Sequence, residues 1–212
     1  MFCESDTRIY HVEVRELLDT LFNRADRKMI RDLIEAKRNA TRYRVLHEMT
    51  NSIDRALGGK GFMNQLCVKK DNRWTATYSI EDRPIFRPLQ YAVGEIFERG
   101  IPHARVAVHW SCNHVESILK RKYTGKIRGV GRMSLGVIVS RAMDQKIINQ
   151  NHANILYKIN ALYDLSKHDF DYYSIPEPAR YAEDPTLFDL GEAISMLFIC
   201  RKVGLILNPS LS

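Results

Sequence analysis

The sequence predicts a mainly α-helical protein, a helical bundle carrying a small β-hairpin insertion. Three observations predict it. Apolar residues recur at spacings of three and four over much of the chain, the repeat of a buried helix face. Glycine and proline punctuate the chain at intervals that suit helices of ordinary length. One short stretch, Trp74 to Ile80, alternates large and small residues, is rich in β-formers and follows the turn-like polar run Lys69 to Arg73, which reads as a hairpin.

Residues 10–57 read as helical almost throughout. Leu17, Leu18, Leu21 and Phe22 make a short apolar face, and a second stripe runs through Ile30, Leu33, Ile34, Leu46, Met49, Ile53 and Leu57. Arg24, Arg27, Lys28, Arg31, Arg38, Arg42 and Arg44 fall on the opposite face, and Gly58-Gly59-Lys60-Gly61 stops the helix. Pro84 and Pro88 mark a linker or a helix start, which divides the chain into an N-terminal helical region with the hairpin (1–85) and a C-terminal bundle (86–212). In the second part, helices are expected over Leu89 to Arg99, from Pro102 to about Tyr123, over Leu135 to Ile148 and over Ala153 to Lys167. After a polar loop from Asp169 to Pro185, a last helix is capped by Thr186 or Asp189 and reaches about Leu205.

At 212 residues, with 45% hydrophobic and 27% charged residues, the chain has ordinary globular composition and enough apolar mass for a real core. The net charge of +7 suits RNA or another anionic partner. Cys3, Cys67, Cys112 and Cys200 are widely spaced, which argues against a disulfide scaffold and a cysteine zinc site, and points to a reducing, cytoplasmic setting. The N-terminus lacks the pattern of a signal peptide. The most apolar stretch, Ala193 to Leu207, is interrupted by Arg201, Lys202 and Gly204, so no membrane span is expected. Neither a metal site nor a cofactor is implied; His103, His109 and His114 form no ligand pair on one helix face.

Three groups could carry chemistry. Asn160, Asp164 and His168 lie four residues apart on one helix face, where a carboxylate one turn before a histidine orients the ring and raises its basicity; the plainer reading is a polar cap at the helix end. Arg105, His109, Asn113, Glu116 and Lys120 share a second face, read as the solvated side of an amphipathic helix. The segment Lys120 to Arg132 holds six basic residues in 13: Lys120, Arg121, Lys122, Lys126, Arg128 and Arg132. Its glycines let the backbone approach phosphate, and it is the strongest nucleic-acid footprint in the chain.

The C-terminal half resembles a HEPN-like helical domain, of the type found at the C-termini of abortive-infection proteins. The resemblance covers about residues 90–207. It rests on His114-Val115-Glu116-Ser117-Ile118-Leu119-Lys120, on Leu135-Gly136-Val137-Ile138, on Ile159-Asn160 through His168-Asp169, and on Glu192-Ala193-Ile194 with Cys200-Arg201-Lys202. It implies an RNA- or protein-binding module, in a defence or toxin setting, that pairs as a homodimer through residues 150–205 or meets another protein. Family nucleases carry an arginine five to seven residues before the motif histidine; here Tyr163, Leu162 and Ala161 stand there. The alternatives are a metal-independent ribonuclease with His168 as base and Asp164 or Asn160 orienting it, and a structural subunit that offers the stripe at residues 30–57. A separate Arg-x4-His, Arg42 to His47, matches the motif spacing and reads as a solvated face in mid-helix.

Overall fold

The computed structural model describes residues 11–66, 68–70, 73–75, 77–98, 103–167 and 188–211, the backbone alone at 68–70 and 73–75. It is mainly helical. The N-terminal region, expected as one nearly continuous helix, is three: α1 (Val12–Leu21), α2 (Arg24–Arg38) and α3 (Tyr43–Ala56). The first break is made by Asn23, whose side chain accepts the Asp26 backbone N–H at 2.9 Å and caps α2. The second is made by Ala40, which takes a left-handed conformation with φ 51°. Ala40 N–H donates to the Lys37 carbonyl and Thr41 N–H to the Ala36 carbonyl, both at 3.1 Å, which is a Schellman closure. Arg42 therefore stands at the N-cap of α3 and not in mid-helix.

The hairpin does not form at the extent expected. Met63–Leu66 is a helical turn (α4), Val68–Lys70 (β1) pairs antiparallel with Arg73–Thr75 (β2) over three residues a side, and residues 77–80 carry no strand. Helix α5 (Arg83–Val93) takes Pro84 in its first turn, where the missing N–H is no loss, and Pro88 inside. It widens into a π-helical turn, Gly94–Glu98. Then come α6 (Ala104–Tyr123), a 3₁₀ turn at Val130–Arg132, α7 (Leu135–Asp144), α8 (Gln150–Lys167), α9 (Leu190–Leu207) and a 3₁₀ turn at Pro209–Leu211. Helix α7 stops four residues before the expected Ile148, because Lys146 at φ 55° repeats the closure seen at Ala40. Asp189 caps α9 in a capping box with Glu192.

Helix α9 lies at the centre. It packs on α6 along most of its length and also meets α1 and α2, and α6 in turn packs on α5 and α8. Every residue from Gly191 to Arg201 is buried, so α9 shows almost no amphipathic period. Buried apolar side chains form one cluster from Val14 to Leu211, to which residues on both sides of position 85 contribute. Ile30, Leu33, Ile34, Leu46, Ile53 and Leu57 belong to it, so this stripe is covered by the chain itself. Among the described residues no helix is long and apolar enough to cross a membrane.

Candidate nucleic-acid interface

The basic segment begins on the last turn of α6, and the structure splits its six cations into two sets. Lys120 pairs with Glu116 one turn earlier, at 2.7 Å. Arg121 reaches Asp82 at 2.5 Å, and its guanidinium holds the Asp82 carboxyl below its ordinary pKa. Lys122 donates to the Leu207 carbonyl at 2.7 Å; burial of its head, with the charge of Lys126 nearby, lowers its pKa. These three hold the end of α6 to its surroundings.

Lys126, Arg128 and Arg132 are different. All three are exposed, and none has an ion-pair or hydrogen-bond partner among the described residues. Ile127 and Val130 tuck into the core, at 3% and 4% exposure, which leaves the cations around them facing solvent. Gly125 and Gly129 have positive φ and open space where a Cβ would sit, so the turn they shape is accessible to a bulky anion.

An open cleft of about 520 Å³ adjoins the turn. Lys122, Tyr123, Lys146, Asn149, His152 and Leu207 line it. The Asn149 side chain accepts the His152 backbone N–H at 2.9 Å, so the positive end of α8 also faces this region. Lys146 and His152 thus extend the basic surface. Sequence reasoning missed both, since they lie on another connection; the only local signal was the capping pattern of Asn149 followed by His152.

The expected α8 group is only partly assembled. Asn160 donates to one Asp164 oxygen at 2.9 Å and Lys167 to the other at 3.3 Å, so both carboxylate oxygens are engaged. Asn160 also packs on the first turn of α7, where a Cβ at Gly136 would come within 3.1 Å of it. His168 lies outside the described residues.

The face read as the solvated side of α6 is a packed one. Glu116 is buried at 8% exposure, and its second oxygen accepts the Leu135 N–H at 3.0 Å, fastening α6 to the start of α7. Asn113 donates to the Tyr163 hydroxyl at 2.9 Å. Burial pushes that hydroxyl up to about 12. His109 sits between the rings of Trp110 and Tyr163; burial, then the charge of Lys167, keeps it below its ordinary pKa. Lys167 lies 3.5 Å above the Tyr163 ring.

Among the described residues no group of three or more His, Cys, Asp or Glu side chains could hold a metal ion. No family model matches the chain, and no curated protein or solved structure matches it at a significant level.

Proposed function

We propose that the chain is an RNA-binding helical module of HEPN-like type that grips phosphates with Lys126, Arg128 and Arg132. The observation that carries this is the division of labour in the basic segment: three cations are tied into the fold, and three stand exposed on a glycine-shaped turn with no ion-pair or hydrogen-bond partner among the described residues. Lys146 and His152 in the adjoining cleft widen the contact. Such a surface binds by neutralising phosphates and releasing counterions, and reads little sequence. The HEPN-like part of the reading draws on the sequence resemblance over about residues 90–207.

The test is titration of a fluorescent single-stranded RNA with the purified chain at low salt and with EDTA present. The Lys126→Ala/Arg128→Ala/Arg132→Ala variant is expected to bind about ten-fold or more weakly, with the salt slope reduced by about 2, the value for three lost phosphate contacts on a single strand. Lys120→Ala is expected to change binding far less. Absence of binding at low salt would overturn the proposal.

One observation favours a ribonuclease as the second reading. Arg42 stands at a helix start, and His47, just over one turn along, lines a cleft of about 310 Å³ with Tyr43 and Glu98. In the same experiment this reading requires RNA cleavage, lost in either His47→Ala or His168→Ala. Cleavage that survives both substitutions removes it.

A further inference from the structure

A second cleft, of about 480 Å³, is lined by residues of α1, α2 and α9, a set of elements that excludes the basic turn. Its apolar surface is Leu18, Ile30 and Ile34, all buried. Its charged surface is Arg15 from α1 with Arg24, Arg27 and Arg31 from α2, whose spacing of three and four puts the last three on one stripe. Arg27 pairs with Asp19, which also lines the cleft. Arg15, Arg24 and Arg31 are exposed and have no ion-pair or hydrogen-bond partner among the described residues. Like charges at this spacing repel, and of the stripe only Arg27 is ion-paired among the described residues.

Ser195 of α9 supplies an independent sign of a ligand. It is fully buried, it lines this cleft, and its hydroxyl has no hydrogen-bond partner among the described residues. A buried helical serine can satisfy itself by donating to the carbonyl one turn back, as Ser111 does to Ala107 at 2.8 Å. Ser195 does not, which leaves a polar atom awaiting a partner at the wall of an arginine-rimmed, apolar-floored cleft.

We propose that this cleft binds a small molecule that joins a phosphate chain to a flat, largely apolar body, the chemistry of a nucleotide. The guanidiniums take the phosphates through paired N–H donors. Leu18, Ile30 and Ile34 take the face of the body, and the Ser195 hydroxyl takes a polar atom at its buried edge. The volume lies within the range of small-ligand pockets, about 300–1,000 Å³. None of this depends on RNA binding at the basic turn.

Calorimetric titration of the full chain with ATP, with adenosine and with inorganic tripolyphosphate tests the proposal. ATP is expected to bind about ten-fold or more tightly than either part alone. Arg24→Ala/Arg31→Ala changes two exposed residues and leaves the core intact; it is expected to weaken ATP binding about ten-fold or more with an unchanged melting curve. Ser195→Ala is expected to weaken ATP but not tripolyphosphate, and the triple variant at 126, 128 and 132 to leave ATP binding unchanged. The proposal is overturned if ATP does not bind at millimolar concentration, if tripolyphosphate binds as tightly as ATP, or if the Arg24/Arg31 variant binds ATP normally.

Discussion

Asp54 and Arg201 meet where neither touches water. Both are fully buried, with Nε to Oδ1 at 2.7 Å. Asp54 also accepts the N–H groups of Gly61 and Phe62 at 2.8 and 2.9 Å, and Arg201 donates to the Leu211 carbonyl at 3.0 Å. Gly59 has to be glycine for this to exist, because a Cβ there would lie 2.2 Å from the Asp54 carboxylate. Asp54→Ala strands a buried guanidinium and is expected to cost about 3–5 kcal/mol in urea unfolding, with a substantial part regained in Asp54→Ala/Arg201→Met. Retention of most of the stability in the single variant would show that water enters to solvate Arg201. In the sequence, Glu192 and Arg201 looked like members of a family motif. The structure gives both a structural role, Glu192 accepting from the backbone N–H of His11 and of Asp189. Their burial was not legible, since a helix covered on all sides leaves no polar face against which an inward charge would stand out.

At the scale of elements, the sequence showed where helices run better than where they stop. Two stops escaped because Ala40 and Lys146, and not glycine, occupy the left-handed closing position. The basic segment was legible, but the bonds that tie half its cations into the fold were legible only in part. The Lys120–Glu116 pair follows helical spacing and could be read. The partners of Arg121 and Lys122 lie 39 and 85 residues away and could not. Glu116 joins two elements at once, and the α7 N-cap, Ser134, makes no side-chain cap bond of its own. Glu116→Ala therefore leaves the buried Leu135 N–H unpaired, at a cost of about 1–3 kcal/mol. Hydrogen exchange should speed up in the first turn of α7, while RNA affinity holds or rises because Lys120 is released. Unchanged exchange at Leu135 would mean that another acceptor replaces the carboxylate.

The molecule as a whole is expected to be sensitive to acid, and one buried imidazole sets the direction. His114 is fully buried, its Nδ1 lies 2.8 Å from the Ile85 carbonyl, and its Nε2 has no partner among the described residues. Burial, then the charge of Arg201, lowers its pKa to about 3 from an ordinary 6.5. Between those values the unfolded chain binds a proton that the folded chain refuses. The stabilisation is thus complete above pH 6.5 and is lost as pH falls toward 3, at a limiting slope of about 1.4 kcal/mol per pH unit. Because one core spans the chain, the loss should appear in a single melting transition. His114→Gln is expected to flatten the slope of stability against pH; an unchanged slope would assign it to other groups. Neither the depth of His114 nor the shared core was visible in a residue list, because both depend on the close approach of α6 to α9. A Cβ at Gly204 would come within 2.8 Å of His114 Nε2.

The clamp between Asp54 and Arg201 closes over 147 residues of chain. A ribosome adding 5–20 residues per second needs roughly seven to thirty seconds to cover that distance. Throughout this interval the nascent chain holds a carboxylate without its arginine, and α1, α2 and, once made, α6 without the apolar helix that will cover them. Native assembly therefore waits for α9 to leave the exit tunnel. Until then the growing polypeptide is a natural client for holding chaperones, and a chain halted before α9 is left with open core surface.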